Sequence, residues 1–257
     1  MAVDAKYFIG RGSLNMATRN QTTGEPGTLV DVAEVPEIEV IPGVERAENM
    51  NTSRPIAVKD LSVVKSMSLG IRIVLKEVTP ANIAVMGFGT VVAEGSGVFT
   101  DQALPSGLIV GDRVRLPGAR TMVSSVVVKD SAGSPATLTL NTHYEIDTSF
   151  GIIKILSLGT FVQPFTVSGT EATGKTSVPF LTTRQVEKYL LFTGYNLGND
   201  DRKCIFEIYR ASLSPTSSFA LKSDEVVSFE LTGECLSDAT KGIDPTYGNY
   251  ARYRELE

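Results

Sequence analysis

A chain of 257 residues, 42% apolar and 21% charged, can bury a sizeable core and allows one large domain or one and a half. Its net charge of −5 argues against an electrostatic grip on nucleic acid, which needs basic patches to displace counterions, but not against a surface past which DNA moves without sticking. One histidine excludes a histidine-based metal cluster, and two cysteines are too few for a disulfide scaffold or a four-thiolate site, so Cys204 and Cys235 are expected to be free core thiols.

In chain order, Tyr7 to Thr18 is a short strand candidate interrupted by Gly10 and Gly12, and Asn20 to Gly27 is rich in turn residues. Leu29 to Val35 and Glu37 to Ile41 are extended. Pro42 to Pro55 is polar with mixed charge and is expected to form a long loop or the tip of an extended hairpin. Deleting Gly43 to Arg54 is expected to leave a folded subunit.

Val58 to Gly89 organises the rest. Met67, Leu69, Ile71, Ile73 and Leu75 occupy alternate positions, with Ser66, Ser68, Gly70 and Arg72 between them, which is the period of a strand with one buried face. Thr79 then caps a short helix begun by Pro80 and stopped by Gly87.

From Val98 to Leu156 short β-like pieces alternate with turns, among them a hairpin around Asp147 to Gly151, and this stretch is expected to be a small β insertion. The main domain then comprises residues 1–97 and 157–257. Phe161 to Ser168, Thr182 to Tyr195 and Lys203 to Ala211 are further strand candidates, and Ser214 to Ser217 is a turn or a short helix. In Glu225 to Cys235, Val227, Phe229, Leu231, Gly233 and Cys235 alternate with Ser228, Glu230, Thr232 and Glu234. Beyond Ser237 the chain is polar and rich in Tyr and Arg. No stretch reaches the length of a membrane span, and the N-terminus lacks the layout of a signal peptide, so a soluble protein made in the cytoplasm is expected.

Motifs for chemistry are few. Gly169 to Thr176 (GTEATGKT) fits the spacing of a phosphate-binding loop, but Pro179 follows and nothing after it has helical period, so a Gly/Thr-rich turn is expected rather than a nucleotide site. His143 reads as a hairpin or core histidine, and Asp200-Asp201 as turn residues. No catalytic, metal or cofactor-binding constellation is present, so the default is a non-enzymatic protein without cofactors. A glycan-binding β-sandwich is a rival, disfavoured by the lack of Trp.

The succession DAKYFIGRGSLNMATRN, VAEVPEIEV, the polar loop and KSMSLGIRIVLKEVTPANIAVMGFGT resembles bacteriophage major tail tube proteins of the long, non-contractile type. VEKYLLFTGYNLGNDDRKCIFEIYRASLSP and EVVSFELTGEC resemble the C-terminal half of that family, while Val98 to Leu156 fits least and reads as an addition on the tube exterior. The resemblance implies a mainly β fold: a tail-tube-like β-sandwich or barrel with a flanking α-helix, a long inter-ring loop and a small β insertion. It implies a structural virion protein whose hexameric rings stack into the tail tube, assembled in the bacterial host cytoplasm and conducting DNA without specific binding. Its implied partners are itself, a tape measure protein, and tail tip and terminator proteins, with no membrane. Related injection tubes, of type VI secretion or of phage-tail-like bacteriocins, are the alternative, and a nucleotide hydrolase using Gly169 to Thr176 is a weaker one. On this reading Arg46, Glu48, Asn49 and Arg54 are candidates for ring-to-ring contact. Ser66, Ser68, Arg72, Ser228, Glu230, Thr232 and Glu234 are candidates for the channel face.

Overall fold

A computed structural model describes residues 7–53, 56–184, 186–242 and 246–256, with only the backbone at 186. The fold is mainly β, with several antiparallel sheets and one α-helix among the described residues. The chain divides into two compact units, Met1–Val91 with Val178–Glu257, and Val92–Ser177.

The first unit opens with β1 (Gly10–Ala17), β2 (Val30–Asp31), β3 (Glu37–Asn51), β4 (Val58–Leu75) and α1 (Pro80–Met86). The helix forms where the sequence places it. The Thr79 side chain accepts from Asn82 N–H at 3.1 Å, Pro80 occupies the first turn, and Gly87 N–H closes the end on Ile83 O. The second unit holds β5 (Val92–Glu94), β6 (Gly97–Ala103), β7 (Arg113–Arg115), β8 (Val123–Lys129), β9 (Tyr144–Asp147), β10 (Ile152–Ile155), β11 (Thr166–Glu171) and β12 (Lys175–Ser177). The chain returns to the first unit with β13 (Val186–Asn196), β14 (Arg202–Leu213), β15 (Phe229–Cys235) and β16 (Ala251–Leu256).

The first unit is one antiparallel sheet folded over its own core, in the order β2-β1-β13-β14-β15-β4-β3, with β16 also on β14. The fold-over happens at β14. Lys203 to Ile208 pair with β16, whereas Ala211 to Leu213 pair with β15. Between these halves the register against β13 slips, setting Tyr209 and Arg210 against Tyr189 alone. An extra residue of this kind bends a strand and lets it pass from one layer to another. The core so enclosed takes Leu14 and Met16 from β1, Leu190 from β13, Ile208 from β14, Ile71, Ile73 and Leu75 from β4, and Phe229 and Leu231 from β15, with Met86 of α1 against them. β1 and β13 meet at Gly12 and Gly194, where a Cβ on either would lie 2.2 Å from a carbonyl oxygen of the opposite strand. That close approach accounts for the glycine that interrupts the first strand candidate.

Three expectations change. The second unit runs from Val92 to Ser177 rather than 98–156, because β11 pairs with both β6 and β8, and β12 with β5. Phe161 to Ser168 is correspondingly displaced: the strand is Thr166–Glu171. The polar tail holds β16, a strand with no clean alternation that is kept in place by pairing with β14. The second unit has its own core, with Phe99, Leu116, Val128, Ile153, Phe165 and Val167 among its members, between the sheets β7-β10-β9 and β6-β11-β8.

Candidate functional site

The polar stretch expected as a loop or hairpin tip is the outer half of a hairpin. β3 runs on to Asn51 and pairs with β4 residue by residue as far as Val58. Every residue of β4 from Val58 to Ser68 is exposed, as is β3 from Val44 to Asn51, so this arm has no layer beneath it on either face. Pro42 to Asn51 at about 3.3 Å per residue makes it roughly 30 Å long. The arm is not uniformly polar, for Val44, Met50, Val58, Leu61, Val63, Val64 and Met67 are all exposed on it.

Two register slips, one between Glu45 and Arg46 and one between Asn49 and Met50, twist the arm. The first leaves Lys65 and Ser66 both reaching Glu45, at 3.0 and 2.9 Å, and together they hold its carboxyl below the usual range, Lys65 contributing most. Further out Lys59 pairs with Glu48, and Asn49 donates to Asp60 at 2.8 Å. At the base the Tyr250 hydroxyl donates to Met67 O at 3.0 Å.

Of the ring-contact candidates, Arg46, Glu48 and Asn49 lie on this exposed arm, and Arg54 lies outside the described residues. Glu48 and Asn49 are engaged across their own hairpin, and Arg46 stands opposite Val64. Any partner of the arm would therefore meet its apolar side chains at least as much as its charges.

Inward from the arm, β3, β4 and β15 lie side by side with one face on the core and one outward. The outward face collects Arg72, Glu230, Thr232 and Glu234, with Thr232 and Glu39 opposite Arg72 on its two sides. Arg72 reaches Glu37 at 2.9 Å, Glu39 at 3.2 Å and Glu230 at 2.9 Å. These carboxylates, Glu230 foremost, raise the guanidinium pKa above its ordinary value. Four carboxylates (with Glu234) against one guanidinium leave the face with an excess of three negative charges. Lys76, the other cation of this stretch, lies 3.5 Å from Glu34.

The other channel-face candidates fall elsewhere. Ser66 and Ser68 lie on the arm side of the same strand, exposed. Ser228 precedes β15, which begins at Phe229 rather than Glu225. Glu37 and Glu39 join the face without having been singled out. Their signal was the alternation Glu37-Ile38-Glu39-Val40, readable as a face only once β3 is known to pair with β4.

A groove of about 590 Å³ runs along the inner part of β3, lined by Val35, Ile38, Val40, Phe192, Phe206 and Tyr253 among others. β3 ends the sheet order, so among the described residues the polar groups along its outer side have no strand to pair with.

Gly169 to Thr176 lacks the strand–loop–helix build of a phosphate-binding loop. Its first residues are β11 and its last are β12, with the turn at Gly174 in the left-handed region (φ +88°) and no helix following. Gly169 is needed for packing, since a Cβ there would lie 2.8 Å from the Phe99 ring. Lys175 has only 7% of its side chain exposed and is held by Glu171, with Glu94 at 3.9 Å. Lys175 first, then the Thr121 backbone N–H and Arg120, keep the Glu171 carboxyl low against its burial. The carboxylates around this lysine neutralise it and repel a phosphate.

His143 sits in a turn, its Nδ1 accepting from Thr139 N–H at 3.0 Å and its ring edge-on to Phe161. Cys204 and Cys235 are free and buried, and burial pushes the Cys235 thiol up to about 11. No helix among the described residues is long and apolar enough to cross a membrane.

A family model, Protein of unknown function UCP028589, matches residues 7–254. The chain belongs to that family. The matched span takes in both units, the arm and the acidic face. No curated protein matches the chain.

Proposed function

We propose that this protein is a structural subunit of the phage tail tube type, assembling with copies of itself into hexameric rings that stack into a conduit for DNA. The observation that carries the reading is the arm. A two-stranded ribbon without a third layer is marginal in water, and one that exposes a row of Val, Leu and Met side chains invites a covering surface. The apolar groove along β3 has matching chemistry and lies on a different part of the same unit. An arm on one copy meeting a groove on the next is a head-to-tail contact, and such contacts generate rings or filaments.

The acidic face supports the second half of the reading. A wet wall with excess negative charge releases no counterions to a polyanion and does not hold it. The same sign argument makes a nucleic-acid-binding role unfavourable. Tape measure, tail tip and terminator proteins are the further partners this reading expects, the virion tail is its location, and a place on the tube exterior is proposed for the second unit.

The test follows from the hairpin. Removing Gly43 to Arg54 would strip β4 of its partner, so the variant to make removes Val44 to Ser66 and joins the ends by a two-residue turn. The expected result is a folded monomer by light scattering that forms no rings or tubes in negative stain, where the full chain forms them. Tubes from the variant, or a full chain that stays monomeric with tail-tip partners present, would sink the reading.

A further inference from the structure

On the sheet β7-β10-β9 of the second unit the outward charges are sorted by side. Arg113 and Arg115 stand exposed on β7, and Glu145 and Asp147 on β9, with Lys154 and Ile152 of β10 between them. The pairing sets them in two rows, Arg113-Lys154-Glu145 and Arg115-Ile152-Asp147. Val114, Ile153 and Ile146, between the rows, pack into the core of the unit. Lys154 lies 3.8 Å from Glu145, and Asp147 accepts from Ser149 and Phe150 N–H at 3.1 Å each. Among the described residues neither Arg113 nor Arg115 forms an ion pair, and Arg115 donates to Ala119 O at 3.2 Å. Glu94 and Glu171, which share a cavity with Arg115, are engaged with Lys175.

β7 and β9 are the two ends of this sheet. Edge strands that carry charge of one sign repel a second copy and stay apart. These two carry opposite signs, so β7 of one copy attracts β9 of another. A trough of about 540 Å³ on the face is lined by Arg113, Lys154, Glu145 and Asp147 among others, and is open to a side chain from outside. Asn141 N–H already bonds to Tyr144 O at 2.8 Å beside β9, so side chains rather than a continued ladder carry the contact.

We propose that this face is a contact between copies of the chain, in which Arg113 and Arg115 of one copy meet Glu145 and Asp147 of the next. The partner is a second copy because the face carries both halves of the contact. The inference rests on the self-assembly proposed above: exposed ion pairs are individually weak, so these fix the orientation of copies that the arm holds together rather than joining them alone.

The experiment measures assembly of the full chain by light scattering at low salt, in two variants. Arg113→Glu with Arg115→Glu makes both margins acidic. Glu145→Arg with Asp147→Asn removes the acidic margin while keeping a side-chain oxygen to cap the turn. Each alone should weaken assembly several-fold, by an amount that shrinks with added salt. A mixture of the two, or all four substitutions in one chain, should regain most of it, which a misfolded variant would not do. Thr170→Glu, on the other sheet of the unit, should change nothing. A full chain that stays monomeric with tail-tip partners present overturns both this contact and the assembly it rests on. Assembly that is indifferent to the charge changes, or that neither the mixture nor the combined variant restores, overturns the contact and leaves the arm standing.

Discussion

At their inner ends β3 and β4 cover the core of the first unit, while at their outer ends the same two strands cover nothing. Ile71, Ile73 and Leu75 are almost fully enclosed, whereas Leu61, Val63 and Met67, on the same strand, are each more than half exposed. The hydrogen-bonded ladder is continuous between the two regions. The difference lies in what surrounds them: β15 pairs with β4 only from Leu69 inward, and only there does the strand face the core. A ladder holds a strand in shape, but burial of its face supplies most of its stability. The inner half is therefore scaffold, and the outer half is an exposed ribbon, which the proposed function sets against another copy of the chain.

Four substitutions can break or sharpen that contrast. The largest effect is expected from Asp238→Asn in the enclosed region. Arg19 donates to Asp238 at 2.9 and 2.6 Å, and Thr240 adds its N–H and hydroxyl at 3.0 and 2.7 Å. Leaving Arg19 without its carboxylate should cost about 3–5 kcal/mol in urea unfolding. Burial alone would raise the Asp238 pKa, but Arg19 and Thr240 outweigh it and hold it below 3.8. A depressed carboxyl contributes stability above its unfolded pKa and loses it as pH falls through the folded value, so the contribution begins to fall at about pH 4 and is gone only below the folded value. The acid limb of the stability profile should accordingly be shallower in the variant than in the parent.

Next comes Ile73→Ala, expected to cost about 2–5 kcal/mol by leaving a cavity in the core. Arg72→Met comes third. It leaves Glu37, Glu39 and Glu230 unneutralised on an exposed face, and should lower Tm slightly, by an amount that shrinks with added salt. Leu61→Ala on the arm comes last. In the dissociated chain it should change stability by less than about 0.5 kcal/mol, yet weaken self-association measurably by light scattering. A loss there as large as that of Ile73→Ala would mean the arm is covered within its own subunit, and the contrast would fall.

Much of the enclosed half was legible from local rules. The alternation from Leu69 to Leu75 and in Phe229 to Cys235 identified two core strands and their faces, because one buried side imposes period two, whereas Met67, expected on the same buried face, is exposed. Thr79, Pro80 and Gly87 marked the helix because capping is a matter of a few adjacent groups. The arm was legible only as a polar interval: its strand character rests on pairing with β4, and two bulges scramble its alternation. β16 and the contribution of β11 and β12 to the second unit escaped for the same reason, since each is held by a strand far away in the chain.

The sequence by itself determined the class of fold, the two facing strands, the helix and the absence of a histidine or multi-thiolate centre, all of which depend on composition or on neighbours within a few residues. Tertiary structure decided which charges meet. Arg72 has no carboxylate near it along the chain, and β3 brings Glu37 and Glu39 beside it while β15 brings Glu230. Lys175 has the spacing of a phosphate-loop lysine, and it is β11 and β5 that set Glu171 and Glu94 beside it. Electrostatic meaning depends on separation in space, and separation along a chain of this length does not supply it.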